Sequence, residues 1–197
     1  SCMLPYPNGI YNRSENTDHI TGFAIHREGF YGKVVGEGYS SFKEYETLIQ
    51  KLKANGGDFV KIMTTGILDF GSDGHVTGIP LPKKEVSVLV QIAHEAGFRV
   101  MAHTNTAQAV IDAAEAGVDS IEHGNYQNPE SIQCMKEYGV VWVPTVVTVK
   151  NLIGCGRFPD EILNRVWETQ KQGLRMGWHK RVRMALGSDA GAFMVPH

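Results

Sequence analysis

Residues 98–124 read FRVMAHTNTAQAVIDAAEAGVDSIEHG and decide the fold of this chain. The apolar run at 98–102 has the composition of a buried strand. Thr106 then stands where a helix begins, apolar residues follow at helical spacing, and Gly117 stands where that helix ends. A second apolar run at 118–122 comes next. A strand, a helix and a second strand in this order form the repeating unit of a parallel α/β sheet.

The same unit recurs on both sides of this stretch. Further helices are predicted where apolar residues recur at helical spacing, at 42–55, 82–96, 129–138 and 160–176. Six strands are predicted, at 20–25, 59–63, 98–102, 118–122, 140–146 and 182–187. The first of them leads into a glycine-rich stretch at 29–38. Three helix-ending glycines, Gly97, Gly117 and Gly139, are 20 and 22 residues apart, so the period is nearly regular.

Short strands that alternate with helices indicate a parallel sheet covered by helices. A doubly wound sheet and a (β/α)8 barrel both satisfy this pattern. The near-regular period favours the barrel, and so do the polar residues at the carboxyl ends of successive strands, where barrel active sites lie. A closed barrel needs eight strands and about six can be counted. We therefore predict an α/β fold with one partial TIM-barrel domain over residues 1–197, within a longer protein.

Composition and charge exclude several classes of partner. The net charge of −2, with acidic and basic residues interspersed, offers no basic surface for nucleic acid. No apolar run reaches the roughly 18 residues that span a bilayer. Three cysteines at wide spacing, Cys2, Cys134 and Cys155, fit neither a disulfide framework nor a Cys-x-x-Cys zinc site. We predict reduced thiols in a cytoplasmic protein without nucleic-acid or membrane partners.

Ionisable residues stand at the ends of four predicted strands: Lys61, His103, His123 and Asp189. In a barrel these ends converge on one mouth, and imidazoles and a carboxylate are suitable ligands for zinc or a similar ion. A lysine inside an apolar strand is costly if it is buried as a cation, so it must be neutralised or used. A Schiff base would be one use. Glu122 points away from its neighbour His123 in a strand and is a candidate for a supporting role.

An ordered set of motifs resembles the amidohydrolase superfamily. The motifs are FVKIMTTG at 59–66, AH at 102–103, GVDSIEHG at 117–124, LGSDAG at 186–191 and PH at 196–197. More narrowly, the set is similar to the branch that contains imidazolonepropionase and the Xaa-Pro dipeptidases. The resemblance implies a TIM barrel that hydrolyses a C–N bond with a metal-activated water.

The resemblance also implies a role for each strand-end residue. Lys61 would carry a carbamate derived from CO2 that bridges two metal ions. His103 and His123 would bind the second metal through neutral nitrogens. Asp189 would touch the first metal and act as the general base for the water. The expected cofactors are one or two divalent ions, with zinc as the default.

One departure from the family pattern concerns the first metal. The family's first strand ends in a His-x-His pair, and no two histidines here have that spacing; they stand at positions 19, 26, 75, 94, 103, 123, 179 and 197. We expect the missing pair upstream, in a longer protein. Without it the metal site would be incomplete and the chain a binding remnant.

Several residues are candidates for contact with the substrate. His26 and Tyr31 lie where an early strand opens into the mouth, and His197 lies in the loop after the last strand. Tyr126 and Thr145 are weaker candidates for the pocket wall.

Three functions compete. The first is a hydrolase that acts on an amide, a peptide-like bond or a cyclic amide in a small-molecule or dipeptide-like substrate. The second is a Schiff-base lyase or aldolase that uses Lys61 and needs no metal, and the third is the binding remnant. Whether the chain forms a homo-oligomer stays open.

Overall fold

The computed structural model describes residues 23–72 and 74–196. The strands are β1 Ala24–Arg27, β2 Gly36–Tyr39, β3 Phe59–Met63, β4 Arg99–Thr104, β5 Ser120–His123, β6 Val141–Val143 and β7 Arg183–Met184. The helices are α1 Phe42–Ala54, α2 Lys83–Glu95, α3 Ala107–Glu115, α4 Pro129–Glu137, α5 Val147–Lys150 and α6 Asp160–Lys180.

All the strands belong to one parallel sheet in the order β2-β1-β3-β4-β5-β6-β7. The chain leaves β1 for the edge strand β2 and returns across β1 to β3. From β3 onward each strand lies beside the next one in sequence. The predicted α/β class and the helices α1, α2, α3, α4 and α6 are confirmed, and Thr106 accepts a capping hydrogen bond from the backbone of Ala109 as predicted.

The prediction of about six strands was one short. The glycine-rich stretch at 29–38 contains the start of β2, which pairs with β1 along its whole length. Glycine is needed for this pairing, because a Cβ on Gly36 would lie within 1.9 Å of the Ala24 carbonyl oxygen. A strand of sequence GEGY has almost no apolar pattern, so periodicity could not reveal it. Residues 20–22 of the first predicted strand lie outside the described residues.

The later strands are shorter than predicted. The strand predicted at 140–146 ends instead at Val143. Pro144 has no N–H with which to continue the hydrogen bonds between strands, and α5 begins soon after. The strand predicted at 182–187 is only two residues long, Arg183–Met184, and Leu186 is fully exposed. Helix α6 continues past the predicted end to Lys180 and closes on Arg181 in the left-handed conformation.

The two faces of the sheet have different contents. Ile25, Ile62, Ala102, Ile121 and Trp142 are register partners in one row and pack with the apolar sides of the helices in the main core. Side chains alternate between faces along a strand. The positions next to these apolar residues therefore point to the other face, away from the helices, and Lys61, His103 and Glu122 occur there.

Two further expectations concern the whole chain. Cys134 and Cys155 are free thiols, in agreement with the predicted reduced state, and Cys2 lies outside the described residues. Within the described ranges, no helix has both the length and the apolar content that crossing a bilayer requires.

Candidate active site

Lys61 lies in the middle of β3 with only 2% of its surface exposed. It precedes Ile62, which faces the helices, so alternation directs Lys61 to the opposite face. Met63, two residues on, is the register partner of His103, which is in turn the partner of Glu122. The inward face therefore carries a lysine, a histidine and a glutamate on adjacent strands.

His103 and His123 are brought together as predicted, with ring centroids 4.7 Å apart and planes at 70°. His123 ends β5 with φ 67°, a left-handed conformation that turns the chain out of the strand. Gly124 follows with φ 59°. The turn is held because Trp142 donates its indole N–H to the His123 carbonyl oxygen over 2.9 Å.

Hydrogen bonds fix which nitrogen of each imidazole is free. His103 Nε2 lies 3.0 Å from the Gly66 carbonyl oxygen, and because a carbonyl can only accept, Nε2 carries the proton and Nδ1 keeps its lone pair. His123 Nδ1 lies 2.7 Å from Thr145 Oγ1, which leaves Nε2 for another partner. Each ring thus has one anchored nitrogen and one nitrogen suited to a ligand role.

Burial keeps both imidazoles neutral. It lowers the pKa of His103 to about 3, with the charge of Lys61 as the second cause, against a smaller raising effect from the Gly66 carbonyl. The pKa of His123 is also well below its usual value, first because of burial and then because of His103 and Lys61. Neutral imidazole is the form that binds a metal.

Asp189 lies beyond β7 with φ 55° and is half-buried. Burial raises the pKa of its carboxyl, and the positive charge of Lys61 opposes that rise. The charge of Lys61 thus lowers the pKa of His103, His123 and Asp189 alike. Even so, the described residues contain no group of three or more His, Cys, Asp or Glu side chains arranged to hold a metal ion.

Of the three predicted substrate-contact residues, Tyr31 contacts the candidate site, His26 is buried in β1, and His197 lies outside the described residues. The Tyr31 ring stacks on His103 with centroids 5.1 Å apart. His26 Nδ1 lies 3.2 Å from the Arg27 carbonyl oxygen, and a Cβ on Gly32 would lie only 2.4 Å from His26 Cβ.

Sequence reasoning missed a buried set of amide side chains behind His103. Asn105 and Asn125 are joined by a hydrogen bond of 2.8 Å, and Gln170 of α6 donates to Asn125 over 2.6 Å. The signal was present in the sequence as a repeated His-x-Asn spacing, His103-Thr104-Asn105 and His123-Gly124-Asn125, at the ends of successive strands.

The inward glutamate was noticed only as a neighbour of His123. Glu122 is buried and accepts a hydrogen bond of 2.7 Å from Ser120 Oγ. Glu122 is the register partner of His103, so it lies on the inward face together with that histidine.

Comparison with known proteins gives a family match over most of the chain. The model of the amidohydrolase family matches residues 11–196. An uncharacterized protein of Mycobacterium tuberculosis is 36% identical over 74 residues, which are 36% of this chain and 20% of that protein. The ochratoxinase of Aspergillus niger is 29% identical over 90 residues, 46% of this chain and 18% of the enzyme. The chain thus spans about a fifth of the length of these curated relatives.

Solved structures share the fold. A Xaa-Pro dipeptidase with bound methionine superposes with a TM-score of 0.63 and 27% identity, over 79% of this chain and 40% of the dipeptidase chain. The A. niger ochratoxinase gives a TM-score of 0.69 and 20% identity, over 85% of this chain and 40% of the enzyme. The likeness confirms the predicted barrel class, of which the described residues supply seven strands.

Proposed function

This chain belongs to the amidohydrolase family, and we propose that it is the partial catalytic barrel of a metal-dependent hydrolase that cleaves a C–N bond. The observation that carries the proposal is the pair of neutral imidazoles at the ends of β4 and β5, with the buried Lys61 in the neighbouring strand β3. That edge of a barrel is where active sites lie.

The donor set fits a divalent ion, with zinc as the default. His103 Nδ1 and His123 Nε2 would be two ligands, because the other nitrogen of each ring is already anchored. No third His, Cys, Asp or Glu completes a cluster in the described part of the chain. Lys61 is the remaining candidate there, since its reaction with CO2 forms an N–C bond, releases a proton and turns the side chain into a carbamate anion with two oxygen ligands.

A bound divalent ion would lower the pKa of a water molecule and polarise the scissile carbonyl. The chain's own residues would orient the reactants around it. Asp189 would take a proton from the water and pass it to the leaving amine, and its raised pKa suits a group that must hold a proton during turnover. Tyr31 would form an aromatic wall over His103.

The substrate class that we propose is a small molecule or dipeptide with an amide bond. One of the structural relatives is a Xaa-Pro dipeptidase. The free thiols of Cys134 and Cys155 support the cytoplasmic location that we propose for the protein.

A hydrolysis screen with Xaa-Pro dipeptides, N-acyl amino acids and cyclic amides tests this function. The full-length protein is assayed after incubation with zinc and bicarbonate, and again after chelation. We expect hydrolysis that depends on both additions. Activity that survives chelation would overturn the proposal. Covalent trapping of a carbonyl compound on Lys61 by borohydride would favour the Schiff-base lyase instead.

A further inference from the structure

The buried amides behind His103 form a directed chain of hydrogen bonds. Gln170 Nε2 donates to Asn125 Oδ1 over 2.6 Å, and Asn125 Nδ2 donates to Asn105 Oδ1 over 2.8 Å. Asn105 Nδ2 then donates to the Gly66 carbonyl oxygen over 2.8 Å. A flip of Asn125 would set two oxygens against each other at one end and two NH2 groups at the other. Each amide therefore holds the next in one orientation.

The chain of amides ends on the carbonyl that anchors the imidazole. His103 Nε2 lies 3.0 Å from the Gly66 carbonyl oxygen and 3.2 Å from Asn105 Nδ2, an N–H donor that itself lies 2.8 Å from the same oxygen. We assign the ring proton to Nε2 because the shorter of its two contacts is to the carbonyl, which can only accept. Two N–H groups that share one acceptor fix its position between them. The backbone at Gly66 is also confined, because a Cβ there would lie 1.8 Å from the Thr77 carbonyl oxygen.

The three amide residues are buried, so water cannot readily take the place of their hydrogen bonds. Asn105, Asn125 and Gln170 are 2%, 5% and 7% exposed. Gln170 Oε1 has no hydrogen-bond partner among the described residues. The side-chain amide of Gln170 is therefore held through its Nε2 donor, which bonds Asn125. A leucine at position 170 would avoid an orphaned oxygen but could not orient Asn125.

We propose that Asn105, Asn125 and Gln170 are positioning residues that hold His103 in the Nε2–H tautomer and so keep Nδ1 as a ligand nitrogen. This inference rests on the proposed metal site. It extends the anchoring of the imidazole from strand β4 out to helix α6. The repeated His-x-Asn spacing supplies the two central amides from two neighbouring strand ends.

The tautomer can be read directly in the metal-free protein. Long-range ¹H–¹⁵N correlation spectra of the imidazoles should show His103 as a single Nε2–H form in the wild-type chain. Asn105→Ala and Asn125→Ala should shift it towards a mixture of the two tautomers. Asn128→Ala is the matched control, because Asn128 caps α4 on the Ser131 backbone and takes no part in the amide chain. It should leave the His103 signals unchanged.

Zinc titration supplies the second readout. We expect the dissociation constant to rise about 10- to 100-fold for Asn105→Ala and by less for Gln170→Leu, with no change for Asn128→Ala. Should Asn105→Ala fail to fold, Gln170→Leu in helix α6 carries the test. An unchanged His103 tautomer together with unchanged zinc affinity in the Asn105, Asn125 and Gln170 variants would overturn the inference. A wild-type chain that binds no zinc would overturn the proposed function, while the spectra would still decide whether the amides position the ring.

Discussion

The two sides of the candidate site are supported in different ways. At the ends of β4 and β5, His103 and His123 are held by buried partners, namely the Gly66 carbonyl, Thr145 and the indole of Trp142. Asp189 lies in the loop beyond β7, a strand of only two residues that ends at Met184, and it is half-buried.

Two of the side-chain contacts of the loop after β7 lie at the surface. Asn151 donates to the Met194 carbonyl oxygen over 2.9 Å, and Arg157 lies over the Phe193 ring at 4.5 Å. The imidazoles are thus held by buried partners, whereas the loop that carries Asp189 relies in part on contacts at the surface. Substitutions on the imidazole side should therefore have the larger effects.

The largest effect is expected at Lys61. Lys61→Met should lower kcat/KM for metal-dependent hydrolysis about a thousandfold, the equivalent of several kcal/mol of transition-state stabilisation. The free energy of unfolding should change by less than about 1.5 kcal/mol, because methionine keeps the length and the apolar stem of the buried side chain. Steady-state kinetics and urea denaturation check both. Lys84→Met, at an exposed lysine of α2, is the control, and equal losses in both variants would contradict the account.

The next largest effect tests the packing behind His123. A Cβ on Gly124 would lie 2.4 Å from Trp142 Nε1, and φ is 59° there. Gly124→Ala should lower the free energy of unfolding by about 2–4 kcal/mol, from left-handed strain and overpacking together. Gly74 has φ 81° and nothing within 4 Å of its Cβ position, so Gly74→Ala isolates the strain alone. Similar losses in the two variants would show that Trp142 can move aside.

The metal-free protein should lose stability in acid because of the imidazole side. The pKa of His103 is about 3 in the folded chain and near 6.5 in the unfolded one. Between these values only the unfolded state binds the proton. The stabilisation is therefore complete above about pH 6.5 and falls as pH drops towards 3, by up to about 1.4 kcal/mol per unit. His123, whose pKa is also lowered, adds an effect of the same sign.

Urea denaturation of the chelated protein at several pH values measures this slope. His103→Gln should make the slope shallower. His75→Gln removes an exposed histidine and should leave the slope as it is. Equal slopes in the two variants would mean that His103 titrates normally in the folded chain.

The smallest effect is expected on the carboxylate side. Asn151→Ala removes the hydrogen bond to the loop after β7 and should lower the free energy of unfolding by about 0.5–1 kcal/mol. Asn164→Ala, whose amide bonds only its own helix, should be neutral by the same thermal or urea measurement. A loss above that of Gly124→Ala would reverse the comparison between the two sides.

Much of the fold could be predicted from the sequence because local signals agreed with one another. Helical periodicity and terminal glycines located five of the helices, and apolar runs located the strands of the core. Edge elements were harder to predict. The strand Gly36–Tyr39 is defined by its pairing with β1 rather than by its own apolar pattern, and α5 is too short for periodicity to show it.

For the candidate site, the positions of residues in the predicted strands showed which side chains would meet. They did not show which other groups orient those side chains. His103 and His123 could be named because residues at the ends of parallel strands converge, and Lys61 because a lysine inside an apolar strand must be neutralised or used. Thr145 and Gln170 reach the site through packing between segments that are distant in sequence, so only the structure shows that they hold an imidazole or its supporting amides.

The most direct test of the account is the zinc content of the chain after reconstitution with zinc and bicarbonate. We expect at least about one zinc ion per wild-type chain, and none in the double variant His103→Ala/His123→Ala, because two imidazoles and a carbamate suffice for a catalytic zinc site. A wild-type content well below one ion, or a double variant that keeps its zinc, would contradict the claim that these strand ends form the metal centre.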